Sequence, residues 1–129
     1  NFTGNLNLDG VARHMAECHV FCLPSIRESG GAVLLEAMAS ARPVIALDFG
    51  GPAEIVDVAV GRLLPMRSHE QVVEDLAQTL REVVSQPEIW KQRGLNGRQR
   101  VVSEYSWPAK IEAAKTLYQQ VLTERGVPC

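Results

Sequence analysis

Short apolar runs, punctuated by glycine and proline, alternate with amphipathic stretches through the first half of the chain. Val11, Met15 and Cys18 are spaced to cover one face of a helix that starts near Asp9-Gly10, and Asn1 to Leu6 read as the end of a strand and its exit loop. His19 to Leu23 is an apolar strand closed by Pro24. A polar loop leads to Gly30-Gly31, which open a helix rich in Ala, Leu and Met, and Pro43 begins a second strand, Val44 to Leu47. Strand, loop, helix, strand is the βαβ unit, and the loop at the carboxyl end of its first strand is where open α/β sheets hold ligands. Gly61 to Leu64 is a further short strand ending at Pro65.

From His69 the period changes to that of a helix and stays so. Val72, Val73, Leu76, Leu80 and Val83/Val84 recur until Pro87; a second helix from about Glu88 to Glu104 carries Ile89, Trp90, Leu95, Val101 and Val102, with Gly94 and Gly97 as weak points. Ser106 is a good N-cap and Pro108 a tolerated first-turn residue for a last helix. That helix is expected to bury Ile111, Ala114, Leu117, Tyr118 and Val121 before Gly126 and Pro128 end it. The fold class is α/β, a Rossmann-like parallel sheet flanked by helices with a helical C-terminal segment.

Two carboxylates stand out. Glu36 sits among Val33, Leu34, Leu35, Ala37, Met38 and Ala39, in a helix apolar on nearly every side. Such a helix is normally buried, and a buried unpaired carboxylate is costly. Glu36 is therefore expected to have a partner within the protein or to face a cavity in which a ligand supplies one, with Ala32, Ala39 and Ser40 leaving room for close approach. Glu28 lies near the positive end of the same helix, where Gly30 and Gly31 let backbone N–H groups come close to an anion. Gly30 to Glu36 spans about 9 Å of helix, a separation that suits a pyrophosphate and the ribose it carries. A second glycine-rich loop, Asp48-Phe-Gly-Gly-Pro-Ala-Glu54, follows the Val44–Leu47 strand; it reads equally as a turn with Glu54 as a helix-start acid or as part of the same site, with Asp48 a turn or cap residue.

Glu28-Ser-Gly-Gly-Ala-Val-Leu-Leu-Glu36 resembles the E-x7-E motif of the retaining glycosyltransferases of group 1 (family 4), which have the two-domain GT-B fold. Leu23-Pro-Ser before it, Glu36-Ala-Met-Ala, Pro43-Val-Ile-Ala, Gly50-Gly51-Pro-Ala-Glu54-Ile-Val, Gly61-Arg-Leu-Leu and Tyr105-Ser-Trp107 follow the family's order along essentially the whole chain. The resemblance implies that Glu28, the catalytic candidate, contacts the hydroxyls of the transferred sugar and that Glu36 accepts hydrogen bonds from the ribose. It places the amides of Ser29, Gly30 and Gly31 against the sugar and diphosphate, and Glu54 beside the pocket. The implied reaction moves a sugar from a UDP-, GDP- or ADP-sugar to an acceptor (a sugar, a lipid-linked glycan or a small molecule) with retention, and needs no cofactor or metal. The family's bulky residue after the first Glu is absent, Ala41 stands where Gly is usual, and the basic pair for the diphosphate has no match. Arg27 reads as a surface residue.

The chain begins at Asn1 and passes almost at once into strand text, so residues 1–129 are expected to be one domain, the latter part of a C-terminal donor-binding domain. Its first strands and the N-terminal acceptor domain lie elsewhere, and the piece alone is expected not to turn over and to self-associate through an open sheet edge. Rival readings are a non-catalytic nucleotide-sugar-binding or regulatory module, a nucleotide-sugar epimerase of the same fold, and an interaction domain whose two Glu residues are satisfied internally.

Composition narrows this little further. The net charge of −2 with interspersed signs leaves no footprint for nucleic acid, no apolar run is long enough to span a bilayer, and no signal segment opens the chain. Cys18, Cys22 and Cys129 are too few for a disulfide framework, which fits a reducing cytoplasmic setting. His14, Cys18, His19 and Cys22 straddle a helix-to-strand break and lack zinc-site spacing, so buried thiols and ordinary imidazoles are the simpler reading. Arg93, Arg98 and Arg100 read as a solvated basic face, or as one that meets an acidic surface such as the inner face of a membrane.

Overall fold

The computed structural model describes residues 1–124. Helix α1 (Leu8–Glu17) is capped by Asn7, whose side chain accepts from the Gly10 amide at 2.9 Å, and leads into strand β1 (Phe21–Leu23). Helix α2 (Ala32–Ala39), strand β2 (Val44–Leu47), the short helix α3 (Gly51–Ile55) and strand β3 (Gly61–Leu64) follow. Helices α4 (His69–Ser85) and α5 (Pro87–Arg100), a π-helical turn (Val101–Tyr105) and helix α6 (Trp107–Glu124) complete the order. Residues 1–7 carry no strand, contrary to the expectation for Asn1–Leu6.

The three strands are parallel in the order β1-β2-β3, Phe21 beside Val44 and Val44 beside Gly61. All four β2 residues are buried, as a central parallel strand requires. Strand alternation sends Val44 and Ala46 into one core layer with Leu34, Met38, Ile55 and Val60, and Ile45 and Leu47 into the other with Leu64 and Trp90. This is a Rossmann-like layer arrangement, with α2 and α3 on one face and α4 and the start of α5 on the other. β1 pairs on one side only and is three residues long rather than the predicted five, because its outer edge has no neighbouring strand among the described residues.

Helix α5 ties the two layers together. Trp90 belongs to one core, the middle of the helix passes the turn before β2, and Val101 just beyond its end packs on the other core. Gly94 and Gly97 are therefore not weak points. A Cβ at Gly94 would run into the Ala41 carbonyl and lie 3.0 Å from Pro43 Cδ, and one at Gly97 would lie 3.1 Å from Met38 Cγ. Ala41 itself is held at φ +56, the left-handed region in which a side chain is strained, so its standing in place of glycine has a cost.

Two helical expectations fail. Helix α6 is capped by Ser106, which accepts from the Ala109 amide at 3.4 Å, but Ile111, Ala114, Leu117, Tyr118 and Val121 are all exposed. Its apolar period is real, yet among the described elements it touches chiefly the π-helical turn, so nothing covers that face; Gly126 and Pro128 lie outside the described residues. The basic face of α5 also dissolves. Arg93 lies over the Trp90 ring at 4.5 Å and Arg100 is turned inward onto α3, leaving Arg98 exposed. Cys18 and Cys22 are half-buried and His14 and His19 exposed; Cys129 lies outside the described residues. No helix among the described residues is long and apolar enough to cross a membrane. Gly94→Ala is expected to lower stability by about 1–3 kcal/mol through overpacking, opposite in sign to the ~1 kcal/mol that helix propensity alone would add. Denaturant unfolding beside the parent protein measures this, and an equal or more stable variant contradicts the packing role.

Candidate functional site

Because the strands are parallel, the loops after β1 and β2 emerge at the same edge of the sheet, and both are rich in glycine. The first, from Pro24 to Gly31, ends at the N-terminus of α2. Gly31 is its N-cap at φ +63, a conformation suited to glycine, and is buried; a Cβ there would lie 3.2 Å from Ile55 Cδ1. The N-cap amide and the one before it are engaged by a side chain. Glu28 turns back so that Oε1 accepts from the Gly31 amide at 2.9 Å and from the Gly30 amide at 3.3 Å. The carboxylate thus sits where the helix dipole favours negative charge, and both bonds use one oxygen, while Oε2 makes no hydrogen bond among the described residues.

The second loop closes on the first. Gly50, at φ +59, lies so near the Glu28 backbone that a Cβ would stand 2.5 Å from its carbonyl oxygen. A Cβ on Gly51 would stand 2.5 Å from the Ser29 carbonyl oxygen and 2.8 Å from the Gly30 carbonyl carbon. Neither contact is visible in the spacing of motifs, although Gly-Gly-Pro ahead of a short helix is the signal through which such an approach can be suspected.

The structure brings Glu28, Ser29, Gly30 and Gly31 together with Gly50, Gly51 and Pro52. Glu36 departs from expectation because it is exposed, and among the described residues its side chain makes no hydrogen bond. Its apolar sequence neighbours Leu34, Ala37 and Met38 point into the core, whereas Ala32, Glu36 and Ala39 share the exposed face. Glu36 needs no internal partner; it stands on an exposed stripe between Ala32 and Ala39. Glu54 lies in the first turn of α3 and is exposed, outside the loop-to-loop contact. Asp48 and Arg27 are exposed as well. A cavity of about 630 Å³ opens at the other end of the sheet, lined by His19, Pro43, Val83 and Trp90. It is lined by Pro87 and Glu88 at the start of α5 but by neither Glu28 nor Glu36 nor the N-terminus of α2, and the carboxyl ends of the strands, where open α/β sheets hold ligands, lie at the opposite edge.

The far end of α3 is pinned by α5. Arg100 Nη1 donates to the Ile55 carbonyl at 3.2 Å and Nη2 to Asp57 at 2.8 Å. Burial pushes the Asp57 carboxyl up, but the bonds from Arg100 and the Ala59 amide, with the Arg100 charge, outweigh it and hold it below the ordinary carboxylate range.

Residues 1–100 match the family model for glycosyl transferases group 1. The chain belongs to this family. The chain is 35% identical over 105 residues to an alpha-maltose-1-phosphate synthase from Mycolicibacterium smegmatis, covering 79% of this chain and 27% of that one. It is 34% identical over 99 residues to a sucrose synthase from Acidithiobacillus caldus, covering 76% of this chain and 12% of that one. Among solved structures, a sucrose-phosphate synthase from Thermosynechococcus elongatus superposes with a TM-score of 0.79 at 30% identity, over 96% of this chain and 30% of that chain. The chain thus spans less than a third of the length of these relatives, and its sheet and helices correspond to part of a Rossmann-like GT-B domain.

The Arg100 clamp on α3 has a pH signature. A carboxyl whose folded pKa is depressed contributes stability that is present above its unfolded pKa of about 3.9 and is lost as pH falls through the folded value. Asp57→Asn is therefore expected to shrink the loss of melting temperature on acidification from pH 5 to lower values. Thermal melts across that range measure it, and parallel profiles for variant and parent contradict the clamp.

Proposed function

We propose that this chain is the donor-binding part of a retaining glycosyltransferase that uses a nucleotide-diphosphate sugar. The observation that carries the reading is the anchored Glu28: one carboxylate oxygen is held by the Gly30 and Gly31 amides just ahead of α2, and the other makes no hydrogen bond among the described residues. A carboxylate oxygen so fixed accepts hydrogen bonds from sugar hydroxyls with little ordering cost. Glu36, exposed further along α2, accepts the ribose hydroxyls, and the diphosphate lies at the α2 N-terminus near Ser29, Gly30 and Gly31, where the helix end stabilises its developing charge while the Gly30 and Gly31 amides stay on Glu28. In the transfer, the bond between the anomeric carbon and the diphosphate breaks, a bond to an acceptor hydroxyl oxygen forms on the same face, and the nucleoside diphosphate departs with the proton that the hydroxyl gives up. No resident metal or cofactor is assigned to the site. Glu54, outside the loop contact, has at most a shaping role at its margin.

The unpaired edge of β1 supports the view that earlier strands of the same domain lie beside it. Those strands, and an N-terminal acceptor domain, supply the remaining diphosphate contacts and the acceptor, so residues 1–129 alone bind weakly and transfer nothing. Calorimetric titration of the full-length protein with UDP, GDP and ADP tests the assignment. One of the three is expected to bind, and Glu36→Ala to weaken it about 10- to 100-fold, the worth of a charge-assisted hydrogen bond. Glu28→Gln is expected to leave nucleotide affinity nearly unchanged and to depress sugar transfer. Nucleotide binding that ignores Glu36→Ala overturns the ribose assignment, and absence of binding to all three overturns the donor site.

A further inference from the structure

We propose that Gly50 and Gly51 are positioning residues for Glu28, acting through the backbone of the first loop without touching a substrate. The inference rests on the donor-site reading above and concerns what holds that site in shape. Three glycine contacts define it. Gly50 abuts the Glu28 carbonyl, Gly51 abuts the Ser29 carbonyl and the Gly30 backbone, and Gly31 has Ile55 Cδ1 and the Pro52 nitrogen on its far side, where a Cβ would lie 3.2 and 3.5 Å from them. Peptides 28–30 are therefore seated on the first turn of α3, backbone against backbone, with no side chain between.

The arrangement has a mechanical basis. Loops that carry ligand groups move readily unless something packs against them, and a pair of carboxylate-to-amide bonds at a surface loop is too weak to fix it alone. The α3 turn supplies the rest. Its Pro52 is fully buried and limits the backbone of the turn, and its other end is held by Arg100 through the Ile55 carbonyl. The rigid body behind Glu28 thus extends from the sheet through α3 to α5. A methyl group at position 51 forces peptide 29–30 outward, and because Oε1 of Glu28 is bonded to the amides of that same loop, the carboxylate moves with it. Displacements near 1 Å at such a group cost up to about 100-fold in productive contacts.

A double-substitution cycle on the full-length protein separates positioning from general damage. The probes are UDP, GDP and ADP, each beside its sugar conjugate (UDP-glucose, GDP-mannose, ADP-glucose), using the pair that the parent binds. Gly51→Ala is expected to weaken the sugar conjugate about 10-fold more than the bare nucleotide, and to have no further effect on the conjugate in a Glu28→Ala background. Pro52→Ala, which relaxes the turn without adding an atom, is expected to act in the same direction by about 3-fold and keeps the test open if Gly51→Ala does not fold. Equal losses for nucleotide and conjugate, or a loss that persists undiminished without Glu28, overturn the positioning role while leaving the donor site standing. A parent that binds none of the probes overturns the donor site and this inference with it.

Discussion

Peptide 29–30 lies against the first turn of α3 with a clearance too small for a methyl group, and this backbone contact is what gives the loop edge of the sheet a definite shape. Everything behind it serves that closeness. Strand β2, buried on both faces, delivers Gly50 and Gly51 to the edge, and the parallel pairing of β1 with β2 brings the Glu28 loop to the same level. Gly30 and Gly31, just ahead of α2, then present their amides to Glu28, and α5 wraps from one core layer to the other and holds α3 by its far end. Glycine is required on both sides of the contact for different reasons: at Gly31 and Gly50 a positive φ, at Gly51 the absence of a side chain.

Much of this was legible in the residue pattern, and the reasons are local. β2 begins and ends with the apolar run Val44–Leu47, because a strand buried in a parallel sheet must be apolar throughout, and β3 follows Gly61–Leu64, which carries Arg62 at the sheet's edge and is closed by Pro65. Helix α4 follows its period and its Ser68 cap, which accepts from the Gln71 amide. β1 was overread because an edge strand keeps its apolar text while losing the partner that would extend the ladder.

The misreadings share a physical origin, in that sequence neighbours are not spatial neighbours. Glu36 looked buried because the residues beside it in the chain are apolar, but its neighbours on the helix surface are Ala32 and Ala39, and the stripe they form is open. Gly94 and Gly97 looked like weak helix positions because helix propensity is a property of an isolated helix, whereas here the Ala41–Pro43 turn and Met38 need the space. Arg93 and Arg100 looked like a solvated face, yet one finds an aromatic ring and the other a carbonyl and a carboxylate. The apolar face of α6 was read correctly as a face and incorrectly as buried, since period alone does not supply the surface opposite.

The chain belongs to the group 1 glycosyltransferases, and the loop that carries Glu28 lies at the carboxyl ends of the parallel strands. The central claim is that Glu28 is fixed by the Gly30 and Gly31 amides with one oxygen free for the donor, and that Glu36, on the helix that follows, takes the ribose. A crystal structure of the full-length protein with the nucleotide sugar that it binds tests this most directly. The account predicts the ribose hydroxyls within hydrogen-bonding distance of Glu36, a sugar hydroxyl on Glu28 Oε2, and the diphosphate at the N-terminus of α2. A nucleotide seated elsewhere, such as in the hollow beside Trp90, or one bound at the loop edge with both carboxylates untouched, contradicts it.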